Sequence, residues 1–122
     1  MASIEEIARD TVELNRANKA EEAGERHWAD DVVSIEAMDG PMARVQGKDA
    51  VKGKGDWWFA NHEIHSVTAD GPWINGDQFA VRYGMDVTVK ESGQRMQMDE
   101  IGLYTVRDGK IAEERFLFGQ GA

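Results

Sequence analysis

The chain contains no cysteine, so disulfides, thiolate metal centres and a cysteine nucleophile are all excluded, and a reducing cytoplasm is the default compartment. No apolar run approaches the roughly 18 residues of a membrane-crossing helix. The amino terminus opens Ser3-Ile4-Glu5-Glu6, without a basic segment followed by an apolar one, so the expectation is a soluble protein that is not exported. Positive charge is scarce: 14 lysines and arginines against 23 aspartates and glutamates leave a net charge of −9. A phosphate backbone would be repelled, which argues against nucleic acid as a partner.

What is present fits one domain spanning residues 1–122. A chain of this length buries roughly two thirds of its unfolded surface and needs no covalent staple. Four tryptophans, six methionines and four phenylalanines supply large, adaptable apolar groups. Such groups line small-molecule pockets, and they also fill ordinary cores.

The stretch from Ile64 to Phe118 organises the rest. Asn75-Gly76, Ser92-Gly93 and Asp108-Gly109 are hairpin turn signals flanked by residues of high strand propensity. They predict four antiparallel strands in a meander, at about 64–74, 77–90, 95–106 and 111–118. Everything before them reads as helices and one short strand that cover this sheet. Ser3 with Glu6 has the form of a capping box, and Ile4, Ile7, Thr11, Leu14 and Asn18 then fall at helical spacing. The helical character continues through Ala20 to Ala23, bends near Gly24, and resumes in a short helix that carries Trp28 and ends at Asp30-Asp31. Val32 to Ala37 reads as the short strand, and a third helix follows Gly47-Lys48-Asp49.

That third helix contains Gly53 and Gly55, each of which costs a helix about 1 kcal/mol relative to alanine. Its Gly-Lys-Gly-Lys-Gly run lacks the phosphate-loop pattern, and no strand immediately precedes it, so nucleotide binding is not indicated. In the sheet, Phe79, Val81, Tyr83, Met85, Val87 and Val89 alternate onto one face. Met96, Met98, Glu100, Gly102, Tyr104 and Val106 share a face of the next strand, and Glu114, Phe116 and Phe118 share one of the last. Gly84 and Gly102 fall near strand centres, where long strands bend, which predicts a strongly curved sheet. Apolar residues appear on both faces of the last two strands, so a second subunit is expected to cover the outer face.

Taken in order, the capped helix, Trp28-Ala29-Asp30-Asp31-Val32, the short strand, Gly47-Lys48-Asp49-Ala50-Val51 opening a helix, and a meander closing with Arg107-Asp108-Gly109-Lys110-Ile111 carry a resemblance. The chain resembles the nuclear transport factor 2-like superfamily, and within it the SnoaL-like, polyketide cyclase and ketosteroid isomerase-like branch. The resemblance implies an α+β fold, in which a cone-shaped, curved antiparallel sheet is wrapped by N-terminal helices as a cystatin-like roll. It also implies an apolar pocket between helices and sheet, and dimerisation through the outer sheet face. The fold hosts isomerases, cyclases, dehydratases, epoxide hydrolases and non-enzymatic binding proteins, so function must be argued from the site.

Glu36 matches the position at which similar ketosteroid isomerases carry a proton-shuttling carboxylate. An apolar cone disfavours the charged form, which tunes such a group for moving a proton beside a carbonyl. Glu100 and Glu114 each interrupt an apolar stripe, and counting back from Asp108-Gly109 places both on the pocket face of similar proteins. Pairing with Arg82, Arg95 or Arg115 is the alternative for both. Asp99 is a spare for Glu100, since a one-residue bulge would exchange their faces. His62 and His65 bracket Glu63-Ile64 one residue short of a metalloprotease helix and point to opposite faces of a strand, so no metal is expected. Tyr83, Tyr104 and His65 are candidate donors. The expected ligand contacts are Trp28, Trp58, Met98, Gly102, Glu114, Phe116 and Phe118. Trp57, Trp73, Phe79, Met85 and Met96 are divided between cavity and core.

Two departures from the isomerase pattern stand out. The first helix has no tyrosine, and the isomerase's second acid falls on or beside Gly102. The reading that follows is a pocket enzyme of the isomerase, cyclase or dehydratase kind, needing no cofactor and acting on an apolar carbonyl compound. The alternative is a non-catalytic ligand-binding or dimerisation module of the same fold.

Overall fold

The structure, a computed structural model, describes residues 1–118. Ser3 and Glu6 form the expected capping box: Ser3 Oγ accepts the Glu6 amide at 3.2 Å and Glu6 Oε1 accepts the Ser3 amide at 3.3 Å. Two otherwise unpaired donors are thereby satisfied, and α1 (Ile4–Arg16) begins. Its buried face is Ile7, Ala8, Thr11 and Val12. Asn18, expected on that face, lies beyond the helix, exposed and left-handed at φ 59°. The helical run therefore breaks at Asn18 rather than at Gly24, and α2 (Ala20–His27) follows. Gly24 lies inside α2, where a Cβ would stand 2.5 Å from the Trp28 indole. The glycine admits the ring against the helix backbone and does not bend the chain.

Trp28 itself is not helical. It opens β1 (Trp28–Ile35), which starts earlier and ends sooner than the expected strand. The short β2 (Arg44–Gln46), which no turn or propensity signal marked, pairs antiparallel with β1. Then come α3 (Lys48–Asn61), β3 (His62–Asn75), β4 (Gln78–Val89), β5 (Arg95–Arg107) and β6 (Lys110–Phe118). The meander expected from the three turn signals is present, with ends shifted by a residue or two. In the Asp108-Gly109 turn both central residues are left-handed, at φ 53° and 74°, as the tightest hairpins require.

The six strands are ordered β2-β1-β6-β5-β4-β3. β1 runs parallel to β6, so the sheet is mixed rather than wholly antiparallel, and it remains an open, curved sheet of an α+β fold. Bulges interrupt β3 at Ile64/Ser66 and Asp70/Trp73, whereas the β4–β5 ladder runs unbroken from Gln78↔Thr105 to Thr88↔Arg95. Alternation in that central pair is therefore strict. Asp99 cannot exchange faces with Glu100.

On the concave side, Ile7, Ala8 and Val12 of α1 belong to one buried cluster with Ala69, Phe79, Val81, Tyr104 and Ile111. The Phe79 ring stacks on Tyr104 at 4.7 Å. Each fully buried large side chain here contributes about 1.5–3 kcal/mol. This fills one part of the cone, and α3 stands off the remainder, where a cavity opens. Among the described residues no helix is long and apolar enough to cross a membrane.

Candidate functional site

The cavity has a volume of about 690 Å³. Its floor is read directly from strand alternation: Tyr83 and Met85 of β4, Met96, Met98, Glu100 and Tyr104 of β5, and Glu114, Phe116 and Phe118 of β6. Its wall comes from α3, where Val51, Lys54 and Trp58 recur at helical spacing. At the mouth stand Trp57 and the methionines of the β1–β2 loop, with Trp57 51% and Met38 61% exposed.

Glu114 lies at the base, buried to 7% exposure. Trp28 Nε1 donates to its Oε1 at 2.9 Å and Ser34 Oγ donates to its Oε2 at 2.8 Å. Burial pushes its carboxyl above the ordinary range, and those two donors pull against that rise. Ser34 Oγ in turn accepts from Lys54 Nζ at 2.5 Å, and the same ammonium donates to Glu36 Oε1 at 2.7 Å. A continuous polar chain therefore runs Trp28, Glu114, Ser34, Lys54, Glu36, from the base of the cavity towards its mouth. Lys54 was not singled out in the sequence, although its spacing from Val51 and Trp58 places it on the inward stripe of α3. Ser34 also escaped notice, although it alternates onto one face of β1 with Val32, and both are fully buried.

Glu100 is different. Among the described residues no side-chain hydrogen bond or ion pair reaches it. Burial is the largest influence on its carboxyl and, with Glu36 and Glu114 adding repulsion against the opposing pull of Lys54, pushes it up to about 7. The arginines weighed as its partners are occupied elsewhere: Arg82 pairs with Asp99 at 3.0 Å, Arg95 with Asp86 at 2.7 Å, and Arg115 approaches Glu113 at 3.8 Å.

Directly opposite Glu100 in the β4–β5 ladder is Tyr83, and Tyr104 is opposite Glu114 in β5–β6. The two tyrosine hydroxyls lie 2.6 Å apart and are buried. Burial pushes both phenols above their ordinary value, so both stay protonated. Two hydroxyl protons share one mutual hydrogen bond, which leaves one proton to donate elsewhere. Gly102 makes the pair possible, because a Cβ there would lie 2.9 Å from Tyr83 Cε2 and 3.0 Å from Tyr104 Oη. Gly102 is thus beneath the tyrosine pair rather than in the cavity lining, contrary to its expected contact role.

The remaining expectations divide. Trp28, Trp58, Met98, Glu114, Phe116 and Phe118 do line the cavity, as do Glu36, Glu100, Tyr83 and Tyr104. His65 does not: bulged β3 turns it outward, where it is exposed with Nε2 2.8 Å from Thr88 Oγ1. His62 takes the inward position instead, its ring stacked on Trp58 at 4.1 Å. Among the described residues, no cluster of three or more histidine, aspartate or glutamate side chains could hold a metal ion. Phe79 belongs to the core, and Trp73 is 59% exposed outside the cavity.

Residues 2–118 match the sequence profile of a family described as the SnoaL-like domain. A crystal structure from Mesorhizobium loti, provisionally assigned as a SnoaL-like polyketide cyclase, is 52% identical over 95% of this chain and 99% of its own, with a TM-score of 0.92. More distant likenesses concern the fold alone. A provisionally assigned isomerase from Bacillus subtilis is 21% identical over 93% of this chain and 84% of its own, with a TM-score of 0.74. A protein from Catenulispora acidiphila with a ketosteroid isomerase-like fold is 16% identical over 97% and 88%, with a TM-score of 0.71. No curated protein matches the chain.

Proposed function

The chain belongs to the SnoaL-like domain family, and from that footing we propose that it is a cofactor-independent proton-transfer enzyme acting on an apolar carbonyl compound, with Glu100 as the shuttle. The observation that carries this reading is the carboxylate of Glu100, without a side-chain partner among the described residues, in an apolar cavity beside a tyrosine pair that retains a free hydroxyl proton. A base poised near neutrality combines adequate ionisation with adequate basicity, and the pressure of burial on Glu100 supplies that balance. In the reaction, the Glu100 carboxylate takes a proton from the carbon next to the carbonyl. The tyrosine pair donates to the oxygen on which negative charge accumulates. Returning the proton to a different carbon completes an isomerisation; attack of the enolate carbon on a second carbonyl breaks its C=O π bond, and passage of the Glu100 proton to the resulting alkoxide completes a cyclisation. No electrons leave or enter the substrate in either case.

Glu36, the first candidate by resemblance, is held by Lys54 and lies partly open at the mouth. We assign it to fixing Lys54, which in turn holds Ser34 and Glu114 in place. A purely structural domain would fill the cone with tryptophan side chains, and the open cavity speaks against that. A passive binding module would pair all its carboxylates, and Glu100 speaks against that. A second copy of the chain is the inferred partner, on the outer face of β5 and β6, where Leu117 is 44% exposed. The experiment is deuterium exchange into the α-carbon of a panel of cyclic ketones and enones, followed by proton NMR. Wild-type protein should catalyse exchange, Glu36→Gln should keep part of it, and Glu100→Gln should abolish it. Full exchange by Glu100→Gln would dispose of the assignment.

A further inference from the structure

The charge around the cavity is one-sided. Glu21, Glu36, Asp39, Asp56, Glu100 and Glu114 line it, against Lys52 and Lys54. Both ammonium groups are committed. Lys52 sits between Glu21 at 3.0 Å and Asp56 at 3.1 Å, and Lys54 donates to Glu36 and Ser34. A ligand carboxylate entering this space would have to displace one of those contacts, and it would face Glu100 and Glu114 without compensation. Enclosure by low-dielectric walls strengthens both that repulsion and the attraction for a cation.

The walls themselves suit an organic cation. Met85, Met96 and Met98 offer polarizable surface beside Glu100, and Trp58 and Phe116 offer aromatic surface. Phe116 already receives an ammonium, since Lys54 Nζ lies 5.7 Å from its ring centroid. Of the cavity carboxylates, Glu100 and Asp39 have no side-chain partner among the described residues; Asp39 is exposed on the β1–β2 loop, whereas Glu100 shares its strand face with Met98 and faces Phe118 across the β5–β6 ladder.

We propose that the cavity selects its ligand by charge, taking an apolar amine ahead of the neutral isostere and rejecting the matched carboxylate, with Glu100 as the selecting group. The inference rests on reading the cavity as the ligand site, and it names the class of molecule that regulates it. An ammonium held against Glu100 occupies the proton shuttle, so such amines compete with turnover of a neutral carbonyl compound. The titratable and charged groups sharing the cavity interior with Glu100 are Glu36 after β1, Lys54 on α3, His62 at the start of β3, Tyr83 on β4, Tyr104 on β5 and Glu114 on β6. Glu36 and Glu114 are held by donors, the tyrosines are neutral, and Asp39 is exposed to solvent on the β1–β2 loop. Glu100 is the carboxylate of the interior left to answer a cation.

Calorimetric titration with three matched probes tests the proposal: 4-phenylbutyl-trimethylammonium, the hydrocarbon in which tert-butyl replaces trimethylammonium, and 5-phenylpentanoate. At about pH 8.5 the cation should bind at least about tenfold tighter than the hydrocarbon, and the carboxylate weakest of the three. Glu100→Gln should bring cation and hydrocarbon within about twofold of each other. Wild-type protein at about pH 5.5 should lose most of the preference too, and the Glu100→Gln comparison separates Glu100 from His62 in that result. Equal binding of cation and hydrocarbon to the wild type overturns the charge inference alone, as does a preference that survives Glu100→Gln. Failure of all three probes to bind overturns the ligand-site reading with it. The wild-type comparison stands even if Glu100→Gln does not fold.

Discussion

Lys54 Nζ lies 2.7 Å from Glu36 Oε1, and this contact separates the roles of the cavity carboxylates. Glu36 is held at the mouth, Glu114 is held at the base through Ser34, and Glu100 between them receives no donor from the described residues. The Lys54 side chain is 12% exposed and that of Glu36 is 33% exposed, so the pair spans the boundary between cavity and solvent. Removing one member would leave the other in a setting chosen for two.

Glu100 should lower the stability of the protein when ionised. Its folded carboxyl is raised from 4.5 to about 7, so the folded state binds the proton more tightly than the unfolded state between those values. Stability then falls as pH rises through this window, and the cost is fully present above it. Glu100→Gln should raise unfolding free energy by about 1–3 kcal/mol at about pH 8 and by almost nothing at about pH 4. Urea denaturation at both values checks this, and a pH-independent effect would contradict it.

Turnover should carry the same group with the opposite sign. The base must be ionised to accept a proton, so kcat/KM should rise with pH through about 7 and then level. The apparent midpoint should shift downward in Glu36→Gln, because one of the repelling carboxylates has gone. A profile flat between about pH 5 and pH 8 would count against Glu100 as the base.

Lys54→Met should cost about 2–4 kcal/mol, because it removes a largely buried cation from Glu36 and a donor from Ser34. Glu36→Gln in the same chain should recover part of that loss. A double-mutant cycle by thermal or chemical denaturation reads the coupling, and simple additivity would show that the pair does not act as one.

Gly102→Ala should separate the tyrosine hydroxyls. The new methyl would meet both rings, and Tyr104 is backed by the stacked Phe79 ring, so the strain should cost about 1–3 kcal/mol. Loss of α-carbon exchange together with retained binding of a neutral ligand would identify the pair as the oxyanion donor. Unchanged exchange would remove it from the mechanism.

The fold was largely legible because its signals are local. A turn such as Asp108-Gly109 needs only its own backbone preferences, a capping box needs residues three apart, and strand alternation sets which side chains share a face. Those rules put Glu100 with Tyr104 and Glu114 with Phe116 on shared strand faces, and the family resemblance named that face as the pocket's. Local rules failed where one element answers to another. Gly24 looked like a bend, but it is the clearance for an indole from the next element, and Trp28 looked helical until its ring found Glu114.

The sequence by itself determined that Glu100 and Glu114 would each share a strand face with apolar residues, because alternation with period two is a property of one strand. Only the tertiary structure decided which of them has a partner. Lys54 reaches Glu36 and Ser34 because α3 packs over β1, and the arginines miss Glu100 because they project from the opposite face of the sheet. Side-chain pairing depends on distances between elements far apart in the chain, and those distances are set by packing rather than by spacing.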